Sequence, residues 1–492
     1  MLSRDINDLI TRTGSDTPCG KLMRQYWQPA ALSDELQGPR PVVPVRLLGE
    51  DLVLFRDNRD ELGLIGRHCP HRGADLCHGR REDNGLRCPF HGWHFDRSGQ
   101  CVEQPGEPAG STMHEQITTT SYPVEERNGI VFAFMGDGTP PPFPELDCFV
   151  APDTHVFAFK GLWECNWLQA MEVGIDPVHA SFLHRFLQDE DPSESYGKQF
   201  RDTAANTEMP MTQLLREYPR PDIEVEETDY GLRLIALRHL DDGRTHVRVT
   251  NQIFPEAICI PMSNEMTITQ WHVPVDDETC YWYSMFTSFG EPVNKQLMRE
   301  QRLKEHRLPD YAPLKNKRNN YGYNPEEQQA ETYTGMGLDI NVHDQWAVES
   351  NSSRLGLRGS EPLFNKNVKA IYQIEVAADI DGDGSTFSTR NSYLGVDSRA
   401  GKFFAGKYDS VVKQAEGKID QFNDTQADID MLFFSQRRLN DTLNWVSPEM
   451  GAITVKVQAA PGEGVTAAGE TKDGLADTLG ASVTFAQDNV FA

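Results

Sequence analysis

Short segments that alternate apolar and polar residues dominate the first third of the chain and predict β-strands. Residues 42–49 and 52–55 alternate in this way, are rich in β-branched side chains, and flank the turn Gly49-Glu-Asp51 as the two arms of a hairpin. Residues 129–134 supply a further strand. The run Thr139-Pro-Pro-Pro-Phe-Pro144 is extended, so we expect it to link this all-β region to a second domain.

Other parts of the chain mix helical and strand periodicity. Residues 4–15 and 20–27 are predicted to be helical. Between residues 185 and 335, strands such as 231–237 alternate with polar turns and predict an antiparallel sheet. Residues 406–445 have helical spacing, whereas the Gly-, Ala-, Thr- and Asp-rich residues at the end of the chain predict a flexible tail. The expected fold class is therefore α+β.

These patterns predict four consecutive parts. Residues 1–39 form a helical segment that packs on the domain containing the antiparallel sheet. An all-β domain covers residues 40–145, and the antiparallel sheet with its flanking helices covers residues 146–370. A C-terminal extension, residues 371–492, is expected to be partly helical and to end in the flexible tail.

Charge and cysteine usage restrict the class of function. The chain has 47 basic and 74 acidic residues, a net charge of −27, so we expect neither nucleic acid nor a membrane as a partner. No apolar run reaches the length of a membrane-spanning helix, and the charged N-terminus lacks a signal-peptide core. The nine cysteines show no paired framework, which indicates reduced thiols in a cytoplasmic protein.

Two short loops combine thiols with imidazoles at a spacing typical of metal ligands. Cys69 and His71 form a Cys-x-His pair, and Cys88 and His91 form a Cys-x-x-His pair after sixteen intervening residues. One tetrahedral zinc could use all four side chains. A Rieske [2Fe–2S] cluster would instead place both cysteines on one iron and both histidines on the other. Because each loop contributes one thiolate and one imidazole, the pattern favours the Rieske cluster.

A second group of candidate ligands contains Asp176, His179 and His184. The histidines are five positions apart, which is not the helical i, i+4 pair, but a bulge or a helix end could bring both imidazoles to one metal. Two neutral imidazoles suit iron(II), and a triad of two histidines and one carboxylate leaves positions open for dioxygen. The alternative is two ordinary histidines on an amphipathic helix, which the preceding Rieske motif disfavours.

Together the two motifs resemble those of the α (oxygenase) subunits of Rieske non-haem iron aromatic-ring oxygenases, and they look most like the phthalate dioxygenase branch. The likeness extends to about residue 365 and includes Thr17-Pro-Cys-Gly20, Leu47-Leu-Gly-Glu-Asp-Leu52 and Glu164-Cys-Asn-Trp-Leu-Gln169. It implies that the all-β domain holds the [2Fe–2S] cluster. It also implies that helices flanking the antiparallel sheet of the catalytic domain hold a mononuclear Fe²⁺.

The resemblance also implies roles for individual residues. Four side chains would bind the cluster, namely Cys69, His71, Cys88 and His91. His179 and His184 would bind the mononuclear iron. Asp176 matches the family's bridging carboxylate, which would hydrogen-bond His179 and, across a subunit boundary, the residue corresponding to His91. Such a contact implies a head-to-tail ring, a trimer or a multiple of trimers.

The third iron ligand is expected to be a carboxylate late in the chain. The segment Asn341-Val-His-Asp344-Gln-Trp-Ala-Val-Glu349 resembles the family's Gln-Asp-x-Ala-x-x-Glu-Ser segment, and the spacing nominates Asp344. His343 stands where the family often has glutamine. Asp339 and Glu349 are the competing candidates.

The resemblance implies a terminal oxygenase that uses O2 and electrons from a separate reductase, of flavin or ferredoxin type, with NADH or NADPH as the ultimate donor. The branch favours an aromatic carboxylate, and Arg248 on a predicted strand could bind it, although a surface charge is the simpler interpretation. The reaction could be ring dihydroxylation, monooxygenation or O-demethylation of an aryl ether. The alternative class is a Rieske electron carrier without oxygenase activity, which would need only the small β domain.

Overall fold

The computed structural model describes residues 4–188, 209, 211–350, 353–365, 368–378, 387–389, 391–411, 438–448, 453–460, 465–467, 470–472, 478–487 and 490–491. The chain divides into two compact units, Met1–Ser350 and Asn351–Ala492. Among the described residues, no helix is long and apolar enough to cross a membrane.

The N-terminal segment of the first unit is helical only in part. Helices α1 (Arg4–Thr11) and α2 (Pro18–Met23) are followed by strand β1 (Gln28–Leu32), which pairs antiparallel with Ile130–Ala133. The prediction that residues 1–39 are helical is therefore wrong for β1. All five residues of β1 are buried, and strand pairing holds them in place whatever their local preference.

Short antiparallel strands build the all-β part of this unit. They are β2 (Val42–Leu47), β3 (Glu50–Arg56), β4 (Leu62–Gly66), β5 (Arg80–Glu82), β6 (Gly85–Arg87), β7 (His94–Phe95), β8 (Cys101–Glu103), β9 (Ser121–Tyr122), β10 (Val124–Arg127) and β11 (Ile130–Ala133). One sheet has the order β2-β3-β4-β9, a second has the order β5-β6-β7-β8, and β1, β11 and β10 form a third. The first metal-motif loop connects β4 to β5, and the second connects β6 to β7.

The rest of the first unit is the predicted antiparallel sheet with helices. Its strands are β12 (Val156–Trp163), β13 (Asp222–Thr228), β14 (Gly231–His239), β15 (Thr245–Ile253), β16 (Ala257–Pro261), β17 (Met266–Pro274), β18 (Cys280–Ser288), β19 (His306–Arg307) and β20 (Ala312–Pro313). Its helices are α3 (Asp147–Val150), α4 (Trp167–Ile175), α5 (Met211–Glu217), α6 (Lys295–Glu305), α7 (Pro325–Ala330) and α8 (Ile340–Glu349). The large sheet has the order β12-β18-β17-β16-β15-β14-β13, and α4 packs against both β17 and α8.

A buried carboxyl group lies in the turn between β15 and β16. Glu256 is 2% exposed, and its Oε2 atom has no hydrogen-bond partner among the described residues. Burial raises the pKa of Glu256 to about 8, against a smaller opposing contribution from the Gln28 side chain. The carboxyl group is therefore protonated at neutral pH.

We expect Glu256→Gln to stabilise the protein increasingly as the pH rises between about 5 and 8. The folded protein keeps this proton over that range, whereas the unfolded chain releases it near the ordinary glutamate pKa. The free energy of unfolding of the wild type therefore falls by up to about 1.4 kcal/mol per pH unit. Glutamine does not titrate, so the variant does not lose this stability. The measurement is the difference in thermal midpoint between variant and wild type at several pH values. Glu224→Gln, on the exposed strand β13, is the matched control, and a gap that does not widen with pH would contradict the burial argument.

Antiparallel strands also build the second unit. They are β21 (Ser353–Asn365), β22 (Val368–Ala378), β23 (Phe387–Thr389), β24 (Ser392–Ser398), β25 (Gly401–Asp409), β26 (Arg438–Val446), β27 (Ile453–Ala460), β28 (Val465–Ala467), β29 (Glu470–Lys472), β30 (Thr478–Gln487) and β31 (Val490–Phe491). The main sheet has the order β21-β22-β24-β25-β26-β27-β30-β31, so most strands pair with their neighbours in sequence.

The second unit corrects the predicted end of the catalytic domain and the predicted helix. The catalytic domain does not extend to residue 370, because β21 belongs to the second unit. The described ends of the predicted helical range 406–445 lie in β25 and β26, and residues 412–437 lie outside the described residues. Leu439, Leu443 and Val446 have helix-like spacing, but pairing of β26 with strands on both sides makes this segment a strand.

The predicted flexible tail is also wrong where the structure describes it. Strand β30 occupies residues 478–487 and pairs along eight of its positions with β27. The alternation of Leu479, Ala481 and Val483 with small polar residues is a strand pattern. Its low hydrophobicity and its glycine, alanine and threonine content made the segment resemble an unstructured one.

Candidate active site and metal-binding loops

The two cysteine loops fold back on themselves in the same way. Cys69 N–H donates to the Ala74 carbonyl at 2.9 Å, and Gly73 N–H donates to the Cys69 carbonyl at 2.9 Å. The second loop repeats both bonds at the same spacing from Cys88, at 2.8 and 3.0 Å. Gly73 and its counterpart Gly92 have φ of +70° and +77°, which favours glycine at both turns. The sequence thus forms two matching turns that each present one thiol and one imidazole.

The two cysteine side chains lie together, and the two histidine side chains lie together. Cys69 and Cys88 are each 2% exposed and their thiols interact, while the rings of His71 and His91 lie with centroids 4.4 Å apart. Burial raises the pKa of Cys69 to about 11, although the backbone N–H groups of His71 and Arg72 point at its sulfur and oppose the increase. Trp93 stacks on His71 at 4.4 Å and is 4% exposed, so it covers one side of the site.

This arrangement fits a two-iron cluster better than one zinc. The four ligands of a single tetrahedral zinc lie within about 4 Å of one another. Among the described residues, the only set of three or more such side chains whose ligand atoms lie within 4.8 Å of one another is found elsewhere in the unit. A pair of thiols and a pair of imidazoles, with backbone N–H groups aimed at one sulfur, instead match the donor set of a Rieske [2Fe–2S] cluster.

That other set contains His179, His184 and Asp344, which the fold brings together from opposite ends of the catalytic region. Helix α4 ends before Pro177, since a residue preceding proline is disfavoured in helical conformation. The chain then turns through a short 3-10 segment that begins at His179. The non-helical spacing of the two histidines is accommodated at this helix end, and Asp344 faces them from the middle of α8.

The three ligand atoms form a nearly equilateral triangle. Nε2 of His179 and Nε2 of His184 are 3.1 Å apart, and Asp344 Oδ1 lies 3.1 Å from His184 and 3.6 Å from His179. Two ligands at right angles, each about 2.1 Å from one ion, are about 3.0 Å apart. Asp344 Oδ1 is buried and accepts no hydrogen bond in the described part of the chain. A divalent cation held by the three side chains would therefore coordinate a carboxylate oxygen that accepts no hydrogen bond from the described residues.

Local hydrogen bonds and burial set the orientation and the protonation of the three candidate ligands. His179 Nδ1 donates to the Asp176 carbonyl oxygen at 2.5 Å, which leaves Nε2 as the nitrogen with the free lone pair. Burial is the main cause of the lowered pKa of His179, which favours the neutral ring. Burial raises the pKa of Asp344 to about 6, opposed by His179 and His343. A neutral imidazole and a desolvated carboxylate are the forms that a divalent cation binds.

The structure gives the competing acids other partners. Asp339 caps α8 by accepting from Asn341 N–H at 3.1 Å and lies 3.3 Å from Arg302. Glu349 accepts from Glu164 N–H at 2.7 Å, which ties the end of α8 to the chain segment before α4. Neither carboxylate belongs to the triangle of ligand atoms.

Asp176 differs in detail from its expected contact. Its carboxylate caps the following turn, with Val178 N–H donating to Oδ1 at 2.8 Å. The same carboxylate lies 4.0 Å from His179 Nδ1, and its side chain is 46% exposed. Within one chain, the backbone carbonyl of Asp176, not its carboxylate, orients the ring of His179. The carboxylate faces solvent.

A cavity of about 110 Å³ adjoins the ligand triangle. Arg248 lines it from β15; its Nε atom is buried without a hydrogen-bond acceptor, and it forms no ion pair in the described part of the chain. Burial, together with the charge of Arg238, lowers the pKa of Arg248 to about 10, so the guanidinium remains charged at neutral pH. By contrast Arg302, which also lines the cavity, lies 3.3 Å from Asp339.

Sequence reasoning missed the other polar residues of the cavity wall. Thr250, Gln270, His272 and Ser284 line it from β15, β17 and β18, on the same sheet face as Arg248. The available signal was their spacing, because each lies two positions from another residue of the cavity wall in the same strand. Without the strand registers, that pattern does not distinguish a cavity wall from a solvent-exposed face.

Comparisons with known proteins agree with these features. Residues 26–123 match the family described as Rieske [2Fe-2S] domain, and residues 133–353 match the family described as LigXa C-terminal domain like. Residues 328–491 match the family described as Gram-negative porin.

Curated relatives support the same assignment for the first unit. The phthalate 4,5-dioxygenase oxygenase subunit of Pseudomonas putida is 35% identical over 350 residues, 68% of this chain and 76% of that protein. The tert-butanol monooxygenase / tert-amyl alcohol desaturase oxygenase subunit of Aquincola tertiaricarbonis is 37% identical over 55% of this chain and 57% of that protein. The 5,5'-dehydrodivanillate O-demethylase oxygenase subunit of a Sphingobium species is 34% identical over 57% and 61%, respectively.

The fold, the donor sets and these relationships confirm the predicted family, fold class and cofactor types. The first unit combines an all-β [2Fe–2S] domain with an antiparallel-sheet domain of the kind that carries a mononuclear iron in this family. The chain belongs to the Rieske non-haem iron oxygenases, as an oxygenase component.

Proposed function

We propose that this oxygenase acts on an aromatic compound that carries a carboxylate, and that Arg248 binds the carboxylate. The observation that supports the proposal is a guanidinium in the cavity next to the ligand triangle that forms no ion pair with any residue the structure describes. A half-buried guanidinium whose buried Nε has no acceptor among the described residues is costly, and an anionic substrate would supply a partner through charge-assisted hydrogen bonds. The relative from Pseudomonas putida is named for phthalate, an aromatic carboxylate.

The rest of the cavity wall suits a ring. Ile260, Ile268 and Phe286 contribute apolar side chains beside the polar group that contains Arg248. Apolar walls with a few convergent polar groups are typical of small-molecule sites, since the walls exclude water while the polar groups orient the ligand. A carboxylate on Arg248 would therefore turn the ring toward His179 and Asp344.

The ligand assignments belong to the same proposal. His179, His184 and Asp344 would hold the mononuclear iron, which when bound supplies the site for O2 and its reduction by electrons from the cluster. The Asp176 carbonyl fixes the ring of His179 in the orientation that presents Nε2. The cluster would be held by the four loop residues, namely Cys69, His71, Cys88 and His91.

Electron delivery requires partners that contact exposed residues. We propose a separate reductase or ferredoxin as donor and a head-to-tail ring of subunits, a trimer or a multiple of trimers. His91 is exposed at the tip of its loop, and the Asp176 carboxylate faces outward, so both are accessible to another chain. A contact between them across a subunit boundary would join the cluster of one subunit to the iron site of the next. We also propose a cytoplasmic location for the catalytic unit, where its thiols stay reduced.

Iron and inorganic sulfide content, with EPR after dithionite reduction, tests the two metal sites. Because a Rieske cluster holds two irons and two sulfides, we expect three irons and two sulfides per anaerobically purified chain and a Rieske-type signal. Two irons that remain two after anaerobic iron(II) reconstitution would contradict the mononuclear site and favour the electron-carrier alternative. Zinc without sulfide would contradict the cluster.

O-demethylation is the second candidate reaction, and the demethylase relative favours it. A methoxy-substituted aromatic acid distinguishes the two, because oxidation of the methyl group releases formaldehyde and leaves a phenol. Ring dihydroxylation instead yields a diol that keeps the methoxy group. One formaldehyde per O2 consumed would identify the demethylase.

A further inference from the structure

The main sheet of the second unit has opposite polarity on its two faces. Strand pairing places Leu394, Phe403, Leu443, Val457, Leu479 and Val483 on one face, which we call the apolar face. These residues alternate along their strands with residues of the opposite face, as the strand geometry requires.

The side chains of the apolar face are exposed to an unusual degree. Leu479 is 72% exposed, Leu394 is 67%, Val483 is 66% and Leu443 is 61%. Single exposed leucines are ordinary on soluble proteins, but a contiguous apolar patch across several neighbouring strands marks a surface that another apolar phase covers.

The opposite face buries polar side chains beside the aromatic rings of Tyr393 and Phe404. Thr442, Asn444 and Gln458 are 0%, 7% and 3% exposed. Gln458 Nε2 donates to Asn444 Oδ1 at 2.8 Å, and Asn444 Nδ2 donates to Thr442 Oγ1 at 2.7 Å. A sheet with one face in water buries its apolar side chains and exposes its polar ones. This sheet does the reverse.

We propose that the apolar face contacts the hydrocarbon core of a lipid bilayer and so binds the chain to a membrane. Strands that cross hydrocarbon need about 9–11 residues and alternate apolar lipid-facing with polar inward-facing side chains. Strands β22, β25, β26 and β30 have 11, 9, 9 and 10 residues. The match of residues 328–491 to the Gram-negative porin family agrees with this surface.

The composition of the apolar face favours lipid over a protein partner. Protein interfaces rely on tyrosine, tryptophan and arginine anchors, with leucine and valine under-represented, whereas on this face leucine and valine outnumber Phe403 and Trp445. Glu361, a charged side chain of the same face, is on β21 at the edge of the sheet, and Lys407 lies near the end of β25.

The membrane inference departs from what the sequence predicted. The expectation of no membrane partner rested on the absence of a long apolar run and on a net charge of −27. A strand that alternates in polarity contains no long apolar run, and contact with hydrocarbon does not depend on attraction to anionic lipid. Neither the absence of a long apolar run nor the net charge therefore tests whether the surface of a sheet contacts a membrane.

Flotation of the full chain with phosphatidylcholine vesicles tests the proposal. We expect wild type to float with the vesicles at both low and high salt, since the contact is apolar. The triple variant Leu394→Lys, Leu443→Lys, Leu479→Lys should reduce the floated fraction at least about tenfold, because lysine on a lipid-facing position is strongly disfavoured. The matched control substitutes lysine for Val150, Val247 and Phe289, exposed apolar residues of the first unit, and should float like wild type.

A second measurement does not depend on whether the triple variant folds. Trp445 pairs with Phe403 and Val457 on the apolar face, so its fluorescence should be quenched by bromine-labelled acyl chains. Because the chain has eight tryptophans, the fluorescence of Trp445 is obtained by subtracting the spectrum of Trp445→Phe from that of the wild type. Absence of flotation, or flotation without Trp445 quenching, would overturn the proposal. So would a lipid-free dimer that the triple variant abolishes, because a second copy would then cover the face.

Discussion

Asp344→Ala is expected to abolish oxygenase turnover while leaving the visible spectrum of the Rieske cluster unchanged. Asp344 supplies the only carboxylate oxygen of the ligand triangle and lies in a different part of the unit from the cluster loops. Loss of residues that merely support metal ligands typically costs 10–100-fold, so loss of a ligand should cost more than about 100-fold in kcat. Iron content should fall by one per chain, with sulfide unchanged.

Two variants separate a ligand role from a structural one. Asp344→Asn keeps the size and hydrogen-bonding capacity of the side chain but removes its charge, and it should also lose the mononuclear iron. Asp241→Asn, on an exposed turn, removes one negative charge without touching the site and should retain full turnover. Full activity of Asp344→Ala with three irons per chain would refute the assignment of Asp344.

Arg248→Met should lower kcat/KM for an aromatic carboxylate by about 10–100-fold, since a hydrogen bond to a charged group contributes about 1.5–3 kcal/mol. The uncharged amide of the same substrate should be a poor substrate of the wild type and should lose little further activity in the variant. Steady-state kinetics on the acid and the amide measure this difference. Arg248→Lys keeps the charge but not the bidentate fork and should fall between wild type and Arg248→Met.

The control for Arg248 is Arg233→Gln on the adjacent strand β14. Arg233 is exposed and pairs with Glu226, so its loss should not change the kinetics with either substrate. Iron content of Arg248→Met should equal that of wild type, because the guanidinium is not part of the ligand triangle. Equal loss of activity toward the acid and the amide would show that Arg248 maintains the cavity wall without binding a carboxylate.

The residues that the sequence identified most readily are those whose chemistry is local. Cys69 and His71 lie in one short loop and Cys88 and His91 in another, so their spacing alone indicates a metal site. His179 and His184 are likewise close in sequence. The structure then places each pair at a turn, where backbone hydrogen bonds direct the side chains to one point.

Strand pairing caused the predictions that were wrong. Residues 28–32 and 438–446 have local patterns compatible with a helix, but the first pairs with β11, far along the chain, and the second pairs with the strands before and after it. The end of the catalytic domain was misplaced for the same reason, because β21 pairs with β22 and not with the preceding sheet. Local propensity is weak compared with the burial and hydrogen bonding that such pairing provides.

The sequence by itself determined the family, the α+β class and the residue types able to bind two metal centres, because motif spacing and periodicity are properties of neighbouring residues. Only the tertiary structure decided which of three acids faces the two histidines, since Asp344 contacts them although it lies 160 positions after His184. It also decided that Arg248 has no ionic partner among the described residues and that the second unit exposes its apolar face. Burial, strand pairing and position in a cavity depend on contacts between segments that are distant in sequence, so a local sequence pattern does not predict them.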